Sequence, residues 1–552
     1  MDEIRIDTKT KRFLLGLLIF CLAFLLRILH AQQTSFTRPD ADLAWQALQI
    51  SRGLPAGTSF LPLYTGLTAV LFWLGSASNF IARFLPAFFG ASLTLIPFVI
   101  FNERDMRRTL LGALILCLDP VLLAYSRQIA GPVLAMSALA WALVFFYQGK
   151  STPAGICLAL ALLSGKYFWI SAFLLGLLFL YCRFIQHNPK PSLFLPQQQN
   201  GKTLWLSFLI ASGLVASSFF LNPSGLTGLA SGFVALFQAK PAAGLPFILP
   251  PFLLFTYSLY LWVPLAVVLA KASAKTRMFD LAGIVFLLLL CMALQNLLPG
   301  LFAFLQIYLI ILLVKNLPQS EIKAFKKDWV TLASFIFFTV ILVFALLSFK
   351  QMVQKMPLVF SFAADLLPLL LALLLIAISY VLIGLGWGFN FTKPAILAAL
   401  TGVTLLFSLS FTFSQVWYDA TASHLLFSNA ELLFPDGPMK NELAIFTQSK
   451  RIIAGVDSFE FTQPASEGDY WEFRAFGSKP EPEKPAAFLI NDSPNDSGHG
   501  GSYRGSKITY ARRLNFSDKP LIDLLHMIAA KTLPYSEISR TLWVQTKLFP
   551  GD

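Results

Sequence analysis

The sequence carries little charge for its length of 552 residues. Charged side chains make up 13% of it, about half the share in an average soluble protein, whereas hydrophobic side chains make up 56%. The 54 phenylalanines and long runs of Leu, Ile, Val and Ala exceed what one water-facing core could bury. This composition excludes a soluble enzyme, a disordered chain and a disulfide-stapled secreted domain. It indicates a protein with many membrane spans.

Cysteine and the common catalytic motifs are also scarce. The five cysteines lie inside apolar runs, and their spacing fits neither a disulfide framework nor a Cys/His metal site. There is no Walker loop, no GxGxxG after a strand and no HExxH, and no two His, Asp or Glu have the spacing of a helix-borne metal site. No cofactor is predicted, and a divalent metal ion has no support from these spacings.

The net charge of +13 is confined to the apolar part of the chain. Up to Phe413 there are 28 Lys and Arg against 12 Asp and Glu, and from Ser414 onward there are 14 against 17. This distribution is typical of cytoplasmic loops that follow the positive-inside rule. It does not indicate a basic groove, so no nucleic-acid partner is predicted.

Thirteen apolar segments predict about 13 transmembrane helices in residues 1–414. They cover residues 13–29, 80–101, 109–125, 132–148, 153–165, 167–182, 203–221, 250–270, 279–297, 300–314, 329–348, 365–386 and 394–414. The basic residues before position 13 place the N-terminus in the cytoplasm, and an odd number of spans then places the C-terminus outside. Residues 415–552 contain turn signals, short alternating stretches such as Lys507–Arg512 and a helical pattern over Leu521–Ala530. They predict a small extracytoplasmic α/β domain.

The apolar segment Phe60–Leu74 admits two interpretations. As a further span it would move the basic residues at 104–108 to the outside and invert every later loop. As a helix on the outer face it keeps most Lys and Arg inside, so we favour a surface helix within a first outer loop over residues 31–79. That loop, the turn at 125–132, the loop from Asn222 and the C-terminal region are then expected to build one outer cavity.

Two acidic residues in the first outer loop are candidate catalytic groups. Asp40 lies where an N-cap of a surface helix belongs, and Asp42 suits the first turn of that helix. This structural interpretation is compatible with a catalytic one. A carboxylate facing a cavity at the membrane edge can take a proton from an acceptor hydroxyl.

Four basic residues and one acid lie in or beside the apolar segments. Arg83, Arg127 and Lys166 would suit capture of a phosphate, and the alternative for the two arginines is extension towards lipid headgroups. Asp119 lies deep in the third span, where a carboxylate has to be protonated, paired or facing water. We expect it to form a structural ion pair, for which Arg27 is one candidate partner.

Four short motifs recur in an order that resembles a known superfamily. They are the acids of the first loop at 40–42, Ala-Arg-Phe-x-Pro-Ala at 82–87, Tyr-Ser-Arg at 125–127 and Asn-Pro-x-Gly at 222–225. The chain resembles the GT-C superfamily of polyprenyl-phosphate-dependent glycosyltransferases. It is most similar to the protein O-mannosyltransferase and lipid A aminoarabinose transferase group and to relatives called flippase-associated. The resemblance covers residues 10–230 in sequence and the remainder in architecture.

The resemblance implies a multi-pass protein of the inner (plasma) membrane that transfers a sugar with inversion from a lipid phosphate on the outer face. Asp40 would be the catalytic base with Asp42 as its neighbour. Arg127 would bind the lipid phosphate, with Arg83 and Lys166 as weaker candidates. The implied partners are a polyprenyl-phosphate-linked sugar and membrane lipids.

Several family positions differ in this chain. Asp40 and Asp42 are separated by Ala41, whereas relatives have adjacent acids, and the acid after Tyr-Ser-Arg is replaced by Gln128. A Lys-Glu pair found in relatives is Lys166-Tyr167 here. These differences favour an alternative, a catalytically silent GT-C-like subunit that binds lipid or a protein partner. Transport of a lipid-linked sugar is a third hypothesis with little support.

Overall fold

The computed structural model describes most of the helical part of the chain and portions of the C-terminal region. The described residues are 8–57, 59, 61–101, 105–184, 200–238, 248–271, 273–316, 329–355, 366–417, 432–433, 459–461, 467–472, 474, 488–491, 503–516, 520–530 and 535–546. Each of the 13 apolar segments predicted from the sequence is helical, wholly or largely, within these ranges.

The first five helices build the N-terminal spans and the first outer loop. They are α1 (Thr8–Ile28), α2 (Arg38–Ser51), α3 (Pro62–Leu74), α4 (Asn79–Ser92) and α5 (Ile96–Ile100). A proline in the first turn of α2 and α3 suits a position where the backbone N–H has no helical partner. The Ser78 hydroxyl caps α4 by accepting from the Ile81 N–H at 3.2 Å. A 3₁₀ turn joins α4 to α5, so residues 79–100 form one long apolar unit.

The middle of the chain consists of helices interrupted by sharp bends. They are α6 (Met106–Leu118), α7 (Pro120–Ser126), α8 (Val133–Tyr147), α9 (Ser151–Leu162), α10 (Lys166–Phe184), α11 (Gly201–Ala216) and α12 (Gly228–Gln238). The chain bends by 56° between α6 and α7 and by 119° between α9 and α10. Gly165, with φ +70°, supplies the left-handed residue at the second of these bends.

The last seven helices of the apolar part are longer on average. They are α13 (Leu249–Tyr257), α14 (Leu259–Lys271), α15 (Ala274–Ala293), α16 (Leu298–Asn316), α17 (Trp329–Lys355), α18 (Leu367–Trp387) and α19 (Phe389–Trp417). An 81° bend separates α13 from α14. The largest buried apolar cluster joins α7, α10, α13, α14 and α16.

The predicted number of 13 spans is not confirmed within the described residues. Within the described residues, five helical units are long and apolar enough to cross a membrane, and eight are if each bent pair counts as one span. The predicted segments 153–165 and 167–182 form one such bent pair. At 13 residues α3 is shorter than the roughly 20 needed to span a bilayer, in keeping with a surface helix.

The described residues of the C-terminal region form a five-stranded sheet and two helices. The strands are β1 (Leu432–Leu433), β2 (Phe459–Phe461), β3 (Phe488–Asn491), β4 (Tyr503–Leu514) and β5 (Tyr535–Gln545), in the order β1-β4-β5-β3-β2, and only β2 and β3 pair in parallel. The helices are α20 (Glu467–Glu472) and α21 (Pro520–Ala530). The predicted strand over Lys507–Arg512 lies in β4, and the predicted helix over Leu521–Ala530 is α21.

Candidate active site

A break in the helical path between α6 and α7 shapes one side of the site. Pro120 disfavours helical geometry in the residue before it, and Asp119 has φ −61° and ψ 121°. Its Oδ1 accepts from the Leu122 N–H at 2.7 Å and so caps α7. Its Oδ2 accepts from the Tyr260 hydroxyl at 2.7 Å and from the Gln306 amide. Asp119 is therefore anchored to α14 and α16.

The predicted ion pair between Arg27 and Asp119 does not form. Among the described residues, Arg27 acts on Asp119 only through its charge. Its guanidinium instead donates to the carbonyls of Leu116 at 3.1 Å and Cys117 at 3.4 Å, at the open end of α6. Because these carbonyls lose their helical partners at the break, they can solvate a buried cation.

Arg127 follows α7 and is buried rather than extended towards lipid headgroups. Its Nη1 donates to the Leu26 carbonyl at 3.2 Å and the Arg27 carbonyl at 3.4 Å, at the end of α1. Its Nη2 is buried and has no hydrogen-bond partner among the described residues. A buried donor without a partner is uncommon and calls for an explanation such as an unfilled ligand position.

Arg83 is also buried, and it binds the segment that connects α1 to α2. Nη1 donates to the carbonyls of Ala31 at 2.6 Å and Thr34 at 3.0 Å, and Nη2 donates to that of Ser35 at 2.8 Å. The guanidinium carbon lies 3.9 Å from the centre of the Phe36 ring, in a cation–π contact. Most of the hydrogen-bonding capacity of Arg83 thus holds the first loop.

Asp40 lies inside the first turn of α2, and the expectation that it caps this helix is wrong. Thr37 occupies the N-cap position, and Asp40 Oδ1 instead accepts from the Ala130 N–H at 2.7 Å. This bond joins the first loop to the turn that follows Arg127. Oδ2 is buried, and no group in the described part of the chain forms a hydrogen bond with it. The carboxylate therefore has one anchored oxygen and one oxygen available to a ligand.

Burial raises the pKa of the Asp40 carboxyl above its ordinary value of 3.8, because an ionised group loses solvation there. The Ala130 N–H and the positive charge of Arg83 oppose this effect. Arg83 also acts electrostatically on Arg127. The structure thus brings Asp40, Arg83 and Arg127 into one electrostatic neighbourhood.

Asp42 and Lys166 lie apart from this group. Asp42 is half-buried, and its Oδ1 accepts from the Gly468 N–H of α20 at 2.5 Å, so it faces the C-terminal region. Lys166 begins α10 at the 119° bend, with its Nζ 5.2 Å from the centre of the Tyr167 ring. None of the described contacts joins Lys166 to Asp40, Arg83 or Arg127.

Two further polar residues lie beside these groups, and neither was predicted from the sequence to be a site residue. The Tyr64 hydroxyl on α3 donates to the Ala82 carbonyl at 3.0 Å and interacts electrostatically with Asp40 and Arg83. The buried Gln128 follows Arg127, and its Nε2 has no hydrogen-bond partner. The only signal for Tyr64 in the sequence was its polar group within the apolar segment Phe60–Leu74.

The arrangement combines a buried acid with cations and an amide that have unfilled hydrogen-bonding positions. Such a set can accept a proton through the acid and hold an anionic group through the arginines. Among the described residues, no three His, Cys, Asp or Glu side chains are grouped so that they could hold a metal ion.

Comparisons with known proteins identify solved structures of similar fold. No protein-family model matches the chain, and no curated protein sequence matches it significantly. The crystal structure of ArnT from Cupriavidus metallidurans bound to undecaprenyl phosphate superposes with a TM-score of 0.55 at 11% identity, covering 98% of this chain and 100% of that one. The apo state of ArnT gives a TM-score of 0.51 at 12% identity, covering 99% and 100%. The chain is thus a multi-pass membrane protein with the fold of ArnT.

Proposed function

We propose that the chain is a membrane glycosyltransferase that moves a sugar from a polyprenyl-phosphate donor to an acceptor on the outer face of the membrane. Two findings support this function. The chain has the fold of ArnT, whose crystal structure contains undecaprenyl phosphate. It also buries a carboxylate in the same electrostatic neighbourhood as two arginines, each of which has an unfilled donor among the described residues.

The observation that carries the proposal is the pair of unfilled positions on Asp40 and Arg127. Asp40 Oδ2 and Arg127 Nη2 are both buried without hydrogen-bond partners. The loop that contains Asp40 and the turn that follows Arg127 are joined by the hydrogen bond from the Ala130 N–H to Asp40 Oδ1. An acceptor hydroxyl would fill the first position, and a phosphate oxygen would fill the second.

The reaction follows from these roles. Asp40 removes the proton of the acceptor hydroxyl as its oxygen attacks the anomeric carbon of the sugar. The bond between that carbon and the phosphate oxygen breaks, and its electron pair leaves with the polyprenyl phosphate. Arg127, assisted by the charge of Arg83, stabilises the negative charge of the leaving phosphate. Attack from the face opposite the phosphate inverts the configuration of a transferred hexose or pentose.

The proposed function includes a location. The protein would reside in the inner (plasma) membrane with its N-terminus in the cytoplasm, and residues 415–552 would form an extracytoplasmic domain beside the transmembrane domain of residues 1–414. The reaction as written needs no cofactor. Membrane lipids and the polyprenyl-phosphate-linked sugar are the proposed partners.

A specific observation favours the second candidate, a catalytically silent subunit. Arg83 and Arg127 already donate to backbone carbonyls, and Lys166 lies apart from both. A site whose cations serve mainly to hold the first loop could bind a lipid or a partner protein without turnover.

Purified protein incubated with a panel of polyprenyl-phosphate sugars and membrane-extract acceptors distinguishes the two candidates. We expect the wild type to consume a donor and Asp40→Asn to lose about 10²–10⁴-fold in rate, since a general base contributes about that much. Asp280→Asn is the matched control, because Asp280 is a buried carboxylate on α15 outside the site. A donor that binds to the wild type and to Asp40→Asn equally and is never consumed would establish the silent subunit.

A further inference from the structure

Helix α20 of the C-terminal region docks on the first outer loop beside the candidate active site. Asp42 Oδ1 accepts from the Gly468 N–H, and the ring of Tyr470 stacks on that of Trp45 at 5.5 Å. The buried ring of Trp471 lies 5.9 Å from Phe36 and 5.5 Å from Phe72. The helix is therefore held by polar and aromatic contacts on several sides.

The same contacts place the end of α20 against Arg83. The Arg83 guanidinium lies over the face of the Phe36 ring. The rings of Phe36 and Trp471 meet in a T-shaped arrangement. Beyond the helix, Arg474 donates to Asn79 Oδ1 at 2.9 Å. Asn79 is the first residue of α4, one turn before Arg83. Glu472, between Trp471 and Arg474, is thereby fixed near the Arg83 guanidinium.

Glu472 is a buried carboxylate, and its negative charge acts on the Arg83 guanidinium. The charge of Asp40 acts on the same guanidinium. Arg83 is thus shared between one acid of the first loop and one acid of the C-terminal region.

We propose that Glu472 is a positioning residue that acts on Asp40 through Arg83 and so sets the pH at which Asp40 becomes an active base. This inference rests on the proposed function. It means that the C-terminal region contributes a charge to the candidate active site, in addition to covering the first loop.

Other charged and titratable groups lie on the elements packed around Arg83 and Asp40. Asp40 faces Arg83 and Tyr64 together with the Thr37 hydroxyl and the Ala130 N–H. Glu472 acts electrostatically on Arg474 as well as on Arg83. Further charged or titratable groups on α20 and the elements around it include Arg38, Asp42, Asp469, Tyr470, Tyr510 and Arg540. Among the Asp and Glu side chains that the structure describes, only Glu472 and Asp40 act electrostatically on Arg83.

The expected sign follows from the charges. Glu472→Gln removes a negative charge near Arg83. The positive charge of Arg83 at Asp40 is then no longer partly offset by Glu472. This stabilises the ionised carboxylate, and the pKa of Asp40 falls. The acidic limb of the pH–rate profile should therefore move to lower pH in Glu472→Gln. Glu472→Asp keeps the charge and should restore the wild-type profile.

The experiment measures kcat/KM against pH for wild type, Glu472→Gln, Glu472→Asp and Asp469→Asn. Asp469 is a matched control, since it is a buried acid on the same helix that accepts from the Tyr510 hydroxyl, a bond that asparagine can keep. A limb displaced by at least half a pH unit in Glu472→Gln alone is the expected result. An unchanged limb, or an equal displacement in Asp469→Asn, would overturn the proposal.

A second measurement needs no turnover. Because burial raises the pKa of Asp40 in the folded chain, the melting temperature of wild type should fall relative to that of Asp40→Asn as pH rises from the unfolded-state pKa to the folded-state pKa of Asp40. In a Glu472→Gln background the folded-state pKa is lower, so this divergence should level off at lower pH and be smaller. If the wild type transfers no sugar but this shift is present, the proposed function fails and the coupling of Glu472 to Asp40 stands. Identical divergence in both backgrounds refutes the coupling whatever the activity.

Discussion

Three buried arginines are stabilised in the same way, by hydrogen bonds to backbone carbonyls. Arg27, Arg83 and Arg127 are all buried and obtain their hydrogen bonds largely from backbone carbonyls near the end of α1 and the broken end of α6. Carbonyl dipoles stabilise a buried guanidinium without the geometric demands of an ion pair. The sequence singled out these residues as charges in apolar surroundings, but it could not show that their partners are backbone atoms.

The pH dependence of the proposed reaction is a prediction at the residue scale. Because burial raises the pKa of Asp40, the carboxyl keeps its proton to a higher pH than a free aspartate and becomes a base only above it. Turnover should therefore rise with pH along a limb that lies above the ordinary value of 3.8. The pH–rate profile of kcat/KM checks this. A limb at or below that value would mean that Asp40 is solvated or is not the base.

At the scale of elements, the break between α6 and α7 determines where Arg127 lies. Pro120 and Asp119 are visible in the sequence as the end of one helix and the cap of the next. Their distant partners are not, because Tyr260, Gln306 and Thr412 follow more than a hundred residues later. The Thr412 hydroxyl donates to the Leu118 carbonyl at 2.8 Å, so groups from α14, α16 and α19 together satisfy the break.

Removing the Asp119 carboxylate should therefore destabilise the protein. Asp119→Ala deletes a helix cap, which costs about 1 kcal/mol, and leaves two buried donors unpaired at about 1–3 kcal/mol each. Asp119→Asn keeps a capping oxygen and should lose less. Thermal unfolding in detergent should show the order wild type, Asp119→Asn, Asp119→Ala. Equal melting temperatures for wild type and Asp119→Ala would show that the network has no stabilising role.

The apolar pattern predicted the helices well and their bends poorly. Hydrophobic runs determine which residues are buried in protein or lipid. All 13 predicted apolar segments are wholly or largely helical within the described residues. A bend depends on one or two residues, such as the left-handed Gly165, and on the partners that satisfy the opened backbone. The position of Asp40 was missed for a similar reason. Its bond to the Ala130 N–H joins residues 90 positions apart, whereas a helix cap is a local pattern.

At the scale of the whole molecule, the C-terminal region is attached to the first outer loop. The Leu433 N–H donates to the Phe36 carbonyl at 2.9 Å, so the edge of the sheet pairs with the strand-like segment before α2. Arg38 donates to the Tyr510 hydroxyl at 3.4 Å. No sequence pattern predicts these contacts, because they depend on surfaces that meet only in the folded chain. They place both regions on the same side of the molecule.

The orientation in the membrane is the last prediction. With α3 on the outer surface, the loop between α3 and α4 is outside and the loop between α5 and α6 is in the cytoplasm. An impermeant maleimide should therefore label Ser76→Cys in intact cells, since Ser76 is exposed, and should label Asp105→Cys only after permeabilisation. Wild type is the control, because its cysteines lie in apolar runs. Labelling of Asp105→Cys from outside would make α3 part of a span and place the first loop, with Asp40, on a different side from the turn that contains Arg127. Because the Ala130 N–H contacts Asp40 in the folded chain, that result would be incompatible with the site itself.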